Sequence, residues 1–201
     1  RTPNVILPIA IQALLNFAYM GGFIIVPQML ETGLGFTSSH IGWLVIARPL
    51  TFSITAPLAS MVTMRIGERR SGVIGAIGII VSMLLLSSVS AGSSDIVIAL
   101  GLAMSGVGFG IAGPALTGLV ANAVDDETVG VAGAMQQLLS QMGAVLGSTV
   151  MISIHEMTAG STTVVRSYGL ASLAGAVTAS VAAVLAAKLQ STDRSGARSE
   201  A

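Results

Sequence analysis

Apart from Arg48, charged residues lie in short segments that separate long apolar stretches of the chain. A helix needs about 20 mostly apolar residues, at 1.5 Å each, to cross the roughly 30 Å hydrocarbon core of a bilayer. Six stretches meet this requirement. They run approximately from Val5 to Pro27, Ile41 to Met64, Gly72 to Ala91, Ile96 to Asn122, Val129 to Ile154 and Tyr168 to Ala187. The pattern predicts six membrane-spanning helices, called here the first to sixth spans.

The six stretches are continuously apolar and rich in alanine, leucine and methionine, whereas strands of a membrane barrel alternate over about ten residues. The chain is 53% hydrophobic and 9% charged, and a water-soluble domain carries roughly 25% charged residues. We therefore predict an all-α membrane protein with one six-helix domain over residues 1–189. Residues 190–201 are rich in serine and arginine and predict a solvated, disordered tail.

Composition also excludes several classes of function. Nine basic and nine acidic residues give a formal net charge of zero, which leaves no basic surface for a nucleic-acid backbone. The chain has no cysteine and only two histidines, so neither a cysteine-based metal site nor a metal cluster is expected. The stretches contain no paired carboxylates and no serine–histidine arrangement. We predict neither an enzyme nor a bound cofactor or metal.

Basic residues are distributed unequally between the two sides of a six-span arrangement. Cytoplasmic connections accumulate lysine and arginine. Arg166 alone lies on one side. Seven basic residues lie on the other: Arg1, Arg65, Arg69, Arg70, Lys188, Arg194 and Arg198. This asymmetry predicts that both ends of the chain are cytoplasmic.

Large polar side chains inside the stretches indicate which helix faces avoid lipid, because such groups usually face the bundle interior or a watery cavity. Gln12 and Asn16 share one face of the first span, and Gln137 and Gln141 share one face of the fifth. These four amides are candidates for a transport path. The alternative is that they form hydrogen bonds between helices and serve packing alone. The third and sixth spans lack comparable polar groups, which predicts that they face lipid.

Arg48 is the only charged residue well inside a stretch. One interpretation is a cavity-lining cation that contacts a substrate, a gate or a carboxylate of another helix. The other is a structural ion pair or an arginine that reaches the membrane surface. All nine carboxylates lie in connections or in the tail. A proton-coupled residue, if transport is coupled, is therefore expected in a segment outside this sequence.

Two glycine pairs have a spacing that permits close approach of helix backbones. They are Gly106 with Gly110 in the fourth span and Gly143 with Gly147 in the fifth. The pairs predict packing faces and carry no information on a substrate.

The connection after the second span reads Ser60-Met-Val-Thr-Met-Arg65-Ile-Gly67-Glu-Arg69-Arg70. It resembles the G-x-x-x-D-R-x-G-R-R loop of the major facilitator superfamily. Four residues fit that pattern: Arg65, Gly67, Arg69 and Arg70. Ser60 stands at its first glycine, Met64 at its aspartate and Glu68 at one basic position. A glycine turn flanked by arginines can act as a cytoplasmic gate that pairs with acidic groups in one state. A simple positive-inside anchor explains the arginines equally well.

Further segments resemble the superfamily's multidrug exporters with fourteen spanning helices. Gly42-Trp-Leu-Val-Ile-Ala-Arg48-Pro-Leu is similar to their segment before the cytoplasmic loop, with arginine and proline exchanged. Three segments together resemble the fourth-to-fifth-helix region of their carboxyl-terminal half: Gly106-Val-Gly-Phe-Gly-Ile-Ala-Gly-Pro114, Gly130-Val-Ala-Gly133 and Gln141-Met-Gly-Ala-Val-Leu-Gly147. The resemblance covers most of the chain and implies six helices that form one half of an alternating-access carrier.

The same resemblance implies the partners and the location. These are the lipid bilayer of the inner cell membrane, an amino-terminal half absent from this sequence, a lipophilic drug or metabolite, and protons exchanged for it. Two alternatives remain open. One is a sugar or organic-acid carrier of the same superfamily, and the other is a membrane scaffold that transports nothing and binds partner helices.

Overall fold

The computed structural model describes residues 3–189, with side chains from residue 5 onward. Within this range the chain forms seven α-helices and no strand. They are α1 (Pro3–Gln28), α2 (Ser38–Val45), α3 (Ala47–Ile66), α4 (Glu68–Ser87), α5 (Asp95–Asn122), α6 (Val129–Ala159) and α7 (Val164–Ala187). A π-helical turn, Met29–Gly33, continues α1. The predicted tail, residues 190–201, lies outside the described residues.

Six helical segments of the described chain are long and apolar enough to cross a membrane. Helices α2 and α3 together make the second of them, Ser38–Ile66. The all-α fold is thus confirmed. The observed helices extend beyond several predicted ends, because a search for uncharged stretches omits charged residues in terminal turns. The third span begins at Glu68 instead of Gly72, and the sixth begins at Val164 instead of Tyr168.

Local sequence explains where these helices begin. The Thr37 hydroxyl accepts a hydrogen bond from the backbone N–H of His40 and caps α2. The Ser94 hydroxyl accepts from the N–H of Ile96 and caps α5. Gly67 has φ 88° and ψ 153°, so it separates α3 from α4 with a sharp turn. A side chain at this position would be strained, because positive φ favours glycine.

Small residues bring the helices close together. A Cβ on Gly143 or Gly147 would overlap the backbone carbonyl of Ala13 or Phe17, so α6 lies directly on α1. A Cβ on Gly106 would likewise overlap the backbone of α3. The packing faces predicted from the glycine spacings are confirmed. Within the bundle, α1 also packs on α7, and α5 packs on both α3 and α4.

Helices α4 and α7 pack against each other and present a joint apolar surface to the outside. Its exposed members include Leu84, Leu173 and Val177. The opposite face of α4 carries Ile79 and Met83, which are completely buried in the core. The expectation that the third and sixth spans face lipid can therefore apply to only one face of each helix, because the other face belongs to the interior.

Candidate functional site

Polar side chains hold the contact between α1 and α6. The Asn16 amide nitrogen donates hydrogen bonds of 2.9 Å to both the backbone carbonyl and the hydroxyl oxygen of Ser140. One turn away, the Gln136 amide nitrogen donates to the side-chain oxygen of Gln12. The same nitrogen donates to the Thr117 hydroxyl on α5, at 3.3 Å. Gln12 and Asn16 thus make the interhelical hydrogen bonds of the packing alternative.

Gln137 and Gln141 lie on a different face of α6. Gln136 is buried against α1, and the helical rotation of about 100° per residue places Gln137 and Gln141 roughly 100° and 140° around the helix from it. Both side chains are exposed. Adjacent residues on the far side of α6, including Leu138 and Met142, are exposed and apolar. Gln137 and Gln141 therefore form a polar strip on this membrane-length helix that no other part of the described chain covers.

Arg48 lies at the centre of the bundle and is completely buried. Its Nε donates a 2.8 Å hydrogen bond to the Ser105 hydroxyl, and its Nη1 donates a 3.1 Å bond to the backbone carbonyl of Tyr19. Gly22 lies beside the guanidinium and leaves room mainly for Met83, since a Cβ there would lie 2.8 Å from Met83 Cε and 3.4 Å from Nη2. Nη2 itself has no hydrogen-bond partner among the described residues.

Aromatic rings surround the Arg48 guanidinium. Its carbon atom lies 5.1 Å from the ring centre of Tyr19 and 5.6 Å from that of Phe23, distances at which the π faces attract a cation. The Tyr19 ring stacks on Phe109 with 4.5 Å between centres. Phe23 is 45% exposed while Arg48 is completely buried, so this ring contacts the guanidinium and also reaches the bundle surface.

No carboxylate forms an ion pair with Arg48 within residues 5–189. Elsewhere in that range, His40 Nε2 lies 2.8 Å from a carboxylate oxygen of Asp95, within hydrogen-bond distance. That pair connects the beginnings of α2 and α5. The cation is stabilised instead by two hydrogen bonds and two aromatic faces. These interactions satisfy two of the five N–H donors of a guanidinium.

The predicted gate residues lie together at the junction of α3 and α4. Arg65, Arg69 and Arg70 are exposed around Gly67. Glu68 is directed away from them, and its carboxylate accepts a 2.9 Å hydrogen bond from the Asn122 side chain at the end of α5. This hydrogen bond connects the turn between α3 and α4 to the end of α5.

The structure brings the predicted path residues together only in part. Gln12 and Asn16 are joined to α6, but through Gln136 and Ser140 and not through Gln137 and Gln141. Sequence reasoning gave Gln136 and Ser140 no role. They continue the Gly143–Gly147 packing stripe toward the start of α6, at spacings of three and four residues, and that stripe could have identified them.

A family model described as Major Facilitator Superfamily matches residues 9–200 of the chain. The chain belongs to the Major Facilitator Superfamily. Members of this superfamily are secondary transporters and not enzymes, and this member is a multi-pass membrane protein. The match extends over all six spans. No curated protein matches the chain.

Membership of the Major Facilitator Superfamily gives the exposed glutamines a context. The family's carriers bind substrate near the bilayer midplane, between two halves that rock against each other. Gln137 and Gln141 are polar and exposed on one of the helices of such a half.

Proposed function

We propose that the chain is the carboxyl-terminal half of a proton-coupled exporter of lipophilic drugs or metabolites, working by alternating access. The observation that carries this proposal is the exposure of Gln137 and Gln141 on a membrane-spanning helix. An exposed amide in hydrocarbon lacks hydrogen-bond partners, which is costly. A wet passage between this half and a companion half removes that cost.

The predicted path residues have different roles in this proposal. Gln137 and Gln141 contact the passage directly. Gln12 and Asn16 are positioning residues, because their hydrogen bonds to Gln136 and Ser140 fix the rotation of α6. Arg48 lies behind Phe23 and becomes accessible to the passage when that ring moves.

The gate is assigned to Arg65, Gly67, Arg69 and Arg70. In one state the arginines pair with acidic groups of the companion half, and in the other they separate from them. The excess of basic residues on one side of the bundle supports a cytoplasmic position at the inner membrane for this turn and for both ends of the chain. The titrating carboxylate of a proton-coupled cycle belongs to the companion half, since the carboxylates of residues 5–189 lie in connections or in the terminal turns of the spans and none lies in the middle of a span.

Transport measurements on the carrier that contains this chain test the proposal. Membrane vesicles with an imposed proton gradient are given a panel of lipophilic cations, sugars and organic acids. We expect gradient-dependent export of the lipophilic compounds. The double variant Gln137→Leu with Gln141→Leu should lose most of this export, while its membrane abundance remains at the wild-type level.

The matched control is the double variant Leu138→Ala with Met142→Ala, at the same depth on the lipid-facing side of α6. It should retain export. Movement of sugars or organic acids alone would favour the alternative carrier class. No movement of any compound, together with unchanged binding of a companion half, would favour a scaffold.

A further inference from the structure

A cavity of about 830 Å³ lies at the junction of α3 and α4, beside the end of α7. Its walls are of two kinds. One is cationic and consists of Arg65, Arg69 and Arg70, next to Gly67. The other is apolar and consists of Met64, Ile66, Val73, Ile74 and Ala187.

The cationic wall is not neutralised by the chain around it. None of its three arginines forms an ion pair with a carboxylate in the part of the chain that the structure describes. The nearest acidic residue in sequence, Glu68, binds Asn122 and does not line the cavity. The start of α4 adds a partial positive charge from its free backbone N–H groups. The wall therefore attracts an anion with several oxygen acceptors, which arginine binds well.

The apolar wall continues toward the hydrocarbon. Met64 is 81% exposed and Ile74 is 47% exposed, and Ile74 lies on the outer side of α4, one of the six membrane-length helices. A free phosphate or nucleotide would cover the arginines and leave this apolar surface in contact with water. A molecule with an anionic head and an acyl chain covers both walls.

We propose that this cavity binds the phosphate headgroup of an anionic phospholipid, with the first part of an acyl chain along Val73 and Ile74. The positive charge of the three arginines is complementary to the inner surface of a membrane, where acidic lipids attract basic groups near a span. The proposal concerns the state in which these arginines are separated from the companion half; it requires that the chain lies in a membrane and does not depend on transport. Failure of lipid binding and failure of transport are therefore separate results.

Native mass spectrometry of the purified, delipidated carrier provides the test. Phosphatidylglycerol and phosphatidylcholine are titrated separately, and the occupancy of the first lipid adduct is recorded. Wild type should bind phosphatidylglycerol in clear preference to phosphatidylcholine. Each arginine near a membrane surface contributes about fivefold to such a preference. The triple variant Arg65→Gln, Arg69→Gln, Arg70→Gln should accordingly lose it.

The matched control is Arg166→Gln, which removes an exposed arginine at the opposite end of the bundle and should leave the preference unchanged. Elution volume and helical circular dichroism show whether each variant is folded. If the triple variant does not fold, the three single variants replace it, each with an expected loss of about fivefold.

A competition measurement distinguishes a phospholipid headgroup from a soluble phosphate as the ligand. Glycerol phosphate, which carries the headgroup without acyl chains, should not displace the bound phosphatidylglycerol. Displacement at equal concentration would show that a soluble phosphate is the ligand and would overturn the proposal. An equal preference in wild type and triple variant would also overturn it. So would a wild type without preference, the result expected if an acidic segment of the companion half fills the cavity.

Discussion

Replacing Arg48 by methionine distinguishes a role in transport from a role in folding. Methionine has a similar length and no charge, and it leaves the Ser105 hydroxyl bonded to the backbone carbonyl of Leu102 at 2.6 Å. The backbone carbonyl of Tyr19 remains part of α1. The substitution therefore removes the cation from the bundle centre without leaving a buried donor unpaired.

The expected change in stability follows from the contacts of the guanidinium. Two hydrogen bonds at about 1.5 kcal/mol each and two cation–π contacts at about 1 kcal/mol each give about 5 kcal/mol that is lost. A charge at the centre of a membrane helix is unfavourable by about 3 kcal/mol, and the substitution removes this cost. The net destabilisation of Arg48→Met is then about 2 kcal/mol, the difference between these figures.

The assay compares three quantities for wild type and Arg48→Met: membrane abundance, the thermal unfolding midpoint in detergent, and export. We expect abundance near the wild-type level and a modest drop in the midpoint. Export should fall at least about tenfold, the factor produced by 1.4 kcal/mol of lost interaction. Ser105→Ala is the control, because it retains the charge and removes one hydrogen-bond acceptor. Parallel losses of export and abundance in Arg48→Met would refute the functional role and leave a structural one.

Two further predictions concern the α1–α6 contact. Gly147→Ala should lower the free energy of unfolding by about 2 kcal/mol or more, since its Cβ overlaps the Phe17 carbonyl and overpacking has this cost. Gly133→Ala, which meets open space on the same helix, should be neutral or slightly stabilising in the same denaturation assay. Asn16→Leu should cost about 1 kcal/mol for two interhelical hydrogen bonds. Gln141→Leu should not lower the unfolding midpoint, and a reversed order of these two variants would contradict the packing described here.

The six spans were predictable because hydrophobic length is a strong requirement that each membrane helix meets separately. The helix ends were not predictable in the same way, because charged residues such as Arg69 and Arg166 occupy terminal turns that still form helical hydrogen bonds. The break between α2 and α3 falls at Ile46, three residues before Pro49. A proline inside an apolar stretch is a sequence signal for such a break, because it has no backbone N–H to donate to the carbonyl four residues earlier, here that of Val45.

The candidate site was predictable only as a set of polar residues in apolar surroundings. Which glutamine of α6 meets α1 depends on the rotation of the helix, and that rotation is set by Gly143 and Gly147 against α1. The partners of Arg48 were even harder to predict from the sequence. Ser105 and Phe23 lie in other spans without any distinguishing sequence pattern, and only tertiary packing brings them to the guanidinium.

The most direct measurement of the central claim is the water accessibility of α6 in the membrane. The chain contains no cysteine, so single cysteines can be introduced at positions 137 and 141, and at 138 and 142 as neighbours of equal depth. The carrier is treated in intact membranes with a membrane-impermeant thiol reagent. The account predicts labelling of Gln137→Cys and Gln141→Cys, and little labelling of Leu138→Cys and Met142→Cys. Equal protection of all four positions would contradict a wet passage beside this helix.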